Sequence, residues 1–369
     1  MEILALKAVK YVKEFSCKTK IISGSGSCGA LKSLCSRRLF LVTDPFFEEN
    51  GKAAEIASLS EAAEIQRYSG VAPDPTVEQV AQGVAELKAF APDTVVALGG
   101  GSAMDCAKAM VFFSQLDVKF AAIPTTSGSG SEVTDFAILT HGGVKHPLID
   151  ERLRPDVAIL DSDLLAKLPP KLIADTGFDA ISHALEAAAA TNGGAITGAL
   201  AAEAFATAIC TLPRSYRGEV SVRLQMHEAS TMAAMAFNQA GLGLCHGMAH
   251  AMGGLLHLPH GRLGAILLPA VVGVNQTAAG AKYAQIARRA GLGGSADSIA
   301  VRNLKNKLLS LRRELELPAT LEQAGISPQQ VRRLTDSIVK AALADPCCQT
   351  NPVPVTEELV HRVLREVTS

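Results

Sequence analysis

The sequence predicts a parallel-sheet α/β domain followed by an all-α domain, and three observations predict it. Up to about residue 160, short β-branched runs alternate with amphipathic stretches, the pattern of a parallel sheet covered by helices. Beyond Pro169-Pro170, long alanine-rich stretches replace that alternation and no convincing strand remains. The chain has 369 residues, enough for two cores on a prior of roughly 100–200 residues per domain.

Taken in order, Arg38–Asp44 reads as a buried strand ending in an acid. Asn50–Ser58 and Thr76–Ala89 carry helical periodicity, and Asp93–Leu98 is a second strand that runs into glycines. Phe120–Pro124 and Val157–Asp161 are two more strands. Lys171–Ala190, Gly198–Thr211 and Arg223–Asn238 are helical stretches of the second half, which places the boundary near residues 165–170.

Composition excludes several classes of function. A 48% hydrophobic content with a formal charge of −1 is too apolar and too neutral for a disordered chain. The same balance gives no global attraction for nucleic acid or for an anionic membrane. The longest apolar run, Ala265–Val274, is interrupted by Pro269 and falls short of the ~18 residues a spanning helix needs. Met1–Phe15 carries Glu2, Lys7, Lys10, Lys13 and Glu14 and so lacks a secretory apolar core. The eight cysteines contain no CxxC pair, as expected of reduced cytosolic thiols rather than a disulfide framework.

Two glycine-bearing loops follow strands. In DTVVALGGGSAMDCAK, Gly99, Gly100 and Gly101 allow a sharp turn, and the amides of Gly101, Ser102 and Ala103 open a helix whose positive end suits a phosphate. The spacing is neither GxGxxG nor a Walker loop. PTTSGSGSE, from Pro124 to Glu132, places hydroxyls and glycines after the next strand. Ligands of α/β sheets bind outside the carboxyl ends of strands, so the two loops together point to a nucleotide. Asp44 ends the first strand, where an acid either accepts hydrogen bonds from a ribose or caps the turn before Pro45.

Four of the nine histidines fall between residues 246 and 260, in CHGMAHAMGGLLHLPHG. His246 and His250 are four apart, as are Asp179 and His183 in TGFDAISHALE, so each pair shares a helix face. Imidazoles with one carboxylate suit Fe²⁺ or Zn²⁺ and lack the thiolates of most structural zinc sites. Spacing alone leaves open which of His246, His250, His257 and His260 are ligands.

GGGSAMDCAK, PTTSGSGSEVT, TGFDAISHALEA and AGLGLCHGMAHAMGGLLHLPHG resemble the successive motifs of the iron-dependent (type III) alcohol dehydrogenases, in that family's order and spacing. Asn351-Pro352 resembles the family's C-terminal asparagine–proline pair. The wording APDPT, SAMD and HLPHG is similar to family members of propanediol-utilising microcompartments. The resemblance implies a dehydroquinate-synthase-like fold: a Rossmann-like dinucleotide-binding domain over residues 1–168 and an all-helical metal- and substrate-binding domain over 169–369. It implies Asp179, His183, His246 and His260 as ligands of Fe²⁺, with Zn²⁺ as the other candidate ion. His250 then lies near metal and substrate without ligating, in a catalytic role. Gly99, Gly100, Gly101 and Ser102 would hold the pyrophosphate of NAD(H), and Thr125, Thr126, Thr134 and Lys145 the rest of the dinucleotide. Asp44 matches the position associated with NAD over NADP, and Phe237 one that walls the substrate pocket.

The implied reaction is reversible hydride transfer between a nicotinamide and a short-chain primary alcohol or its aldehyde, propanol and propionaldehyde being the expected pair. The implied setting is a cytoplasmic homodimer or larger homo-oligomer, inside a bacterial microcompartment with a shell or enzyme partner. Ser129 and Asp74 depart from the family's usual threonine and asparagine, and Cys245 adds a thiol beside His246. Rival readings are a zinc-dependent glycerol-type dehydrogenase, a dehydroquinate-synthase-like lyase, and a noncatalytic nucleotide-binding relative.

Overall fold

The computed structural model describes residues 13–34, 37–142 and 144–369. Most of the opening stretch, and Cys35, lie outside the described residues; the seven described cysteines are all free.

Six parallel strands form the main sheet: β1 (Lys20–Ser23), β2 (Arg38–Thr43), β3 (Glu64–Tyr68), β4 (Thr94–Gly99), β5 (Lys119–Pro124) and β8 (Val157–Leu160). Their order is β1-β8-β5-β4-β2-β3. The four strands expected from sequence are the four central ones, and their continuous apolar runs follow from burial on both faces. The two edge strands, KIIS and EIQRY, are half exposed and carry no such run, which is why they escape a reading by hydrophobicity. An antiparallel hairpin of β6 (Phe136–His141) and β7 (Val144–Ile149) stands apart from the sheet.

Short helices α1 (Leu31–Leu34) and α2 (Pro45–Glu49) precede α3 (Lys52–Ser58). The helix expected over Asn50–Ser58 is broken at Gly51, whose φ of 76° lies in the left-handed region that favours glycine. Ala53, Ile56 and Ala57 of α3 pack on one sheet face with Leu39, Leu41, Val96 and Leu98. On the other face, α4 (Val77–Phe90) and α5 (Gly101–Ser114) meet Phe40, Val42, Val95 and Ala97. Thr76 starts α4 with a capping box: its hydroxyl accepts from the Gln79 amide at 3.2 Å while the Gln79 carboxamide accepts from the Thr76 amide at 3.0 Å.

The sheet order fixes where a ligand can enter. After β2 the chain moves outward to β3, whereas after β4 it moves the opposite way to β5. A crevice therefore opens between the carboxyl ends of β2 and β4, the topological switch point at which open α/β sheets bind ligands. Asp44 follows β2, and Gly99–Gly101 run from the end of β4 into α5, so both sequence-predicted features line that crevice.

After Leu160 no strand occurs among the described residues. The helices are α6 (Pro170–Ala189), α7 (Ala195–Tyr216), α8 (Arg223–Ala240), α9 (Leu244–Leu256), α10 (His260–Arg289), α11 (Asp297–Glu314), α12 (Pro328–Ala344) and α13 (Glu357–Thr368). By length and composition α7 and α10 could cross a membrane, contrary to the expectation that no segment qualifies. Pro269 does not end the apolar segment; it sits buried inside the continuous helix α10. Much of α10 is buried in the largest hydrophobic cluster, together with residues of α6, α9, α11 and α13. A helix packed on nearly all sides is apolar all round for that reason.

Candidate metal centre and dinucleotide cleft

Helix α6 presents Asp175, Asp179, His183 and Glu186 on one face, because these residues recur at near-helical spacing. Helix α9 presents His246 and His250 one turn apart, and α10 begins at His260. The Nε2 atoms of His246 and His260 lie 3.9 and 3.6 Å from Asp179 Oδ1. One ligand atom from each of Asp179, His246 and His260 falls within 4.8 Å of the others. His183 is brought beside this group: its ring stacks on His246 at 4.4 Å, and its Nδ1 meets the Gly128 carbonyl at 3.2 Å.

The electrostatics of the cluster call for a cation. His246 Nδ1 lies 2.6 Å from Glu186 Oε2, while its Nε2 faces Asp179. Both His246 Nε2 and Asp179 Oδ1 are buried without a hydrogen-bond partner. Two buried lone pairs thus face each other with no donor between them, a costly arrangement that a metal ion satisfies. Burial, and then the charge of Asp175, pushes Asp179 up to about 7. Burial and the neighbouring imidazole hold His183 well below the usual range, and burial above all takes His246 down to about 3. Neutral imidazoles are the ligating form.

The α10 entrance is set by Gly261. A Cβ there would lie 1.8 Å from the Asp175 carbonyl oxygen and 3.0 Å from Asp179 Cβ. Only glycine lets α10 approach α6 closely enough to bring His260 to Asp179, and Arg262 locks the approach by pairing with both Asp175 oxygens at 3.1 and 2.7 Å. Gly261→Ala is expected to destabilise the fold by ~1–3 kcal/mol through overpacking and to lower bound metal. Denaturant titration and metal analysis of the purified variant check this; wild-type values in both would remove the constraint.

Other sequence-predicted residues surround this core. Phe237 is buried against His183, with ring centres 4.4 Å apart, and against Phe136. His250 Nδ1 meets Asp345 Oδ2 at 2.8 Å, and its ring stacks on His260 at 5.0 Å. His257 is exposed and ends α9 in the left-handed conformation, away from the cluster's ligand set. Cys245 turns its sulfur toward the Gly264 carbonyl on α10.

In the cleft, Gly99 has a φ of 148°, and a Cβ on it would lie 2.6 Å from Ala103 Cβ. Gly100 faces Thr126 and Gly101 faces Ser129 across gaps of 3.4 and 3.3 Å from the position of a Cβ. The Thr125 amide donates to the Gly99 carbonyl at 2.9 Å, tying the two loops together. No side chain caps α5, so its first amides remain for a phosphate. Asp44 fills one of the two roles left open by the sequence: Oδ1 caps α2 at the Phe47 amide, 3.2 Å away, while Oδ2 faces Gly99. Asp74 links two other predicted residues, its amide meeting Ser102 Oγ at 3.4 Å and its carboxylate Lys145 Nζ at 2.7 Å. Thr134 is fully buried, with its hydroxyl accepting from Lys108 Nζ at 2.9 Å.

Sequence reasoning missed Glu186, Asp345 and the buried Lys108. Glu186 was detectable, since it continues the Asp179/His183 face of α6. Asp345 comes from a segment 95 positions from His250 with no periodic signal.

Comparison with known proteins agrees with this architecture. The profile described as iron-containing alcohol dehydrogenase matches residues 18–162, and that of the Fe-containing alcohol dehydrogenase family, C-terminal, matches 173–368. The chain is 38% identical to the 1-propanol dehydrogenase PduQ of Citrobacter freundii, over 96% of this chain and 100% of that one. It is 36% identical to an NADPH-dependent butanol dehydrogenase of Clostridium saccharobutylicum, over 95% and 96% of the two chains. Among solved structures, a 1,3-propanediol oxidoreductase superposes with a TM-score of 0.89 at 28% identity, covering 96% of this chain and 100% of that chain. The iron-containing alcohol dehydrogenase of Thermococcus thioreducens gives 0.87 at 29%, covering 95% and 100%. With profiles spanning both halves and relatives matched end to end, the chain belongs to the iron-containing alcohol dehydrogenase family and is an oxidoreductase of that class.

Proposed function

We propose that the chain interconverts a short-chain primary alcohol, propanol-like in size, and its aldehyde, with NAD(H) as the hydride carrier and Fe²⁺ as the resident ion. The observation that carries this reading is the pair of buried, donorless lone pairs on Asp179 and His246, in a chain whose sheet switch point carries a glycine cradle. Likeness to 1-propanol and butanol dehydrogenases supports the substrate class. In this reading residues 1–168 bind the dinucleotide and 169–369 the ion and substrate.

Asp179, His246 and His260 hold the ion, with His183 as the fourth ligand. When bound, the ion supplies a Lewis acid that makes the alcohol hydroxyl more acidic, and the dinucleotide exchanges hydride with the carbon. Gly99, Gly100, Gly101 and Ser102 leave room for the pyrophosphate at the start of α5, with Thr125 and Thr126 beside it and Thr134 and Lys145 further along. Phe237 walls the pocket on the His183 side. His250, oriented by Asp345, carries the proton that must leave the site. Zn²⁺ also suits this donor set and binds more tightly by the usual affinity order, so iron must be selected by supply rather than affinity.

Because a butanol dehydrogenase relative is named for NADPH, cofactor choice rests on Asp44 in this chain. Its Oδ2 would meet a 2′-phosphate with like charge, so NADH should be preferred. Asp44→Asn keeps an acceptor for the α2 cap but removes the charge. Relative kcat/KM with NADPH is expected to rise roughly tenfold, the effect of a screened repulsion of ~1–2 kcal/mol. Anaerobic Fe²⁺-loaded enzyme assayed with propionaldehyde and each cofactor tests both statements. No turnover of short aldehydes would refute the substrate class, and a wild-type preference for NADPH would refute the role of Asp44.

The finer setting, a cytoplasmic homo-oligomer within a bacterial microcompartment, is supported by the likeness to PduQ proteins and the APDPT and HLPHG wording. Size-exclusion chromatography and cell fractionation check it.

A further inference from the structure

We propose that Glu186 is a positioning residue of the metal centre, fixing His246 in the Nδ1-protonated tautomer and so keeping Nε2 free to ligate. The inference rests on the metal site proposed above.

Glu186 is buried on α6, and the start of α9 converges on it. Its Oε1 accepts from the Cys245 amide at 2.7 Å. Its Oε2 accepts from the His246 amide at 3.2 Å and lies 2.6 Å from His246 Nδ1. Gly243 must lack a side chain here, since a Cβ would lie 2.8 Å from Glu186 Oε1. The Cys245 and His246 amides are donors, one at each oxygen, and a group with two acceptor oxygens satisfies both. One carboxylate thereby fixes both the backbone that carries His246 and the proton on its ring.

A second brace separates these roles. Asn351 Oδ1 accepts from the Leu244 amide at 3.1 Å, and its carboxamide pairs with Asn275 at 2.9 Å in both directions. Asn351 therefore holds the same end of α9 as Glu186 but makes no recorded hydrogen bond to the His246 ring.

The isosteric variant Glu186→Gln cannot reproduce the arrangement. With its NH₂ toward Cys245, two donors face each other. With its NH₂ toward His246, the amide donates to Nδ1, moves the ring proton to Nε2 and closes the ligating lone pair. Loss of an outer partner of this kind typically weakens metal binding ~10–100-fold.

The test is chelator competition with Fe²⁺ (anaerobic) and Zn²⁺ on wild type, Glu186→Gln and Asn351→Ala, with the melting temperature of each metal-free protein. The expected result is a 10- to 100-fold weaker affinity for Glu186→Gln and less than about threefold for Asn351→Ala, even where both variants melt lower. Wild-type affinity in Glu186→Gln, or affinity losses in both variants that track the melting temperatures, would overturn the inference. Nitrogen NMR of ¹⁵N-histidine-labelled wild type reads the tautomer directly and needs no variant to fold. His246 protonated on Nδ1 supports the proposal and protonation on Nε2 overturns it. A wild type that binds neither ion at this site would overturn the metal centre itself, and this inference with it.

Discussion

His246→Ala is expected to purify with almost no metal, whereas His250→Ala, one turn later on the same helix, should keep its metal and lose turnover. The two imidazoles differ in what their Nε2 atoms face. His246 Nε2 is buried without a hydrogen-bond partner, 3.9 Å from Asp179 Oδ1. Truncating it removes one donor, leaves the Asp179 carboxylate buried and orphaned, and opens a ring-sized void beside His183. The loss in affinity should exceed the ~100-fold that an outer partner costs. His250 instead lies outside the Asp179/His246/His260 group, half-buried and oriented by Asp345. Its removal leaves those donors in place and takes away a proton carrier, an effect of roughly 10²–10⁴-fold on turnover. Metal analysis and anaerobic kinetics on both variants check the pair. Metal retained by His246→Ala and lost by His250→Ala would reverse the assignment.

The sequence was most readable where burial makes a pattern uniform. β2, β4, β5 and β8 are apolar because both faces are covered, so their runs are continuous. β1 and β3 lie at the sheet edges and carry lysine, glutamine, arginine and glutamate, so no window of hydrophobicity finds them. The hairpin β6–β7 lies outside the main sheet, bridging only at Thr140 to Thr76, and shows the weak alternation of a half-solvated ribbon.

The candidate centre divides in the same way. Local spacing along α6 and α9 declares Asp179, His183, His246 and His250, since helix periodicity converts a difference of four into a shared face. What spacing cannot state is which faces meet. The closeness of α10 to α6 depends on Gly261, whose missing side chain carries no signal until Asp175 is seen against it. The 345–351 segment is built on a short 3-10 helix (Pro346–Thr350) that runs along α9 and touches it once per turn: Asp345 at His250, Cys348 at Gly247 and Asn351 at Leu244. Nothing local in that segment announces the contacts, because they are set by tertiary packing. Thr134 is the converse case. The family resemblance implies a ligand contact for it, and the buried ammonium of Lys108 holds its hydroxyl.

Metal affinity is expected to be flat above about pH 7.5 and to fall by about tenfold per unit or more below pH 7. The sign follows from which groups carry protons in the metal-free protein. Burial and Asp175 push Asp179 up to about 7, so below that value it holds a proton that an incoming ion must displace. His246, taken down to about 3, is already neutral at pH 5.5, and burial holds His183 and His260 well below the usual imidazole range. Burial pushes Glu186 up to about 7 as well, so a proton it sheds as the ion binds adds to that of Asp179. About one proton per ion or more is therefore released at pH 6 and almost none at pH 8.5, and the dissociation constant should be at least roughly 30-fold weaker at pH 5.5 than at pH 8. The same raised value has a consequence for folding. A carboxyl raised in the folded state contributes stability that is present below its unfolded pKa and lost as pH rises through about 7. Since the ion binds best where that contribution is gone, the rise in melting temperature on adding metal should be larger at pH 8 than at pH 5.5. Zn²⁺ calorimetry in two buffers of different ionisation heat counts the protons directly. A constant affinity from pH 5.5 to 8 would mean that Asp179 is already ionised in the metal-free site. A slope steeper than two protons per ion, more than Asp179 and Glu186 together can release, would mean that the imidazoles are charged there, and the neutral cluster described above would be wrong.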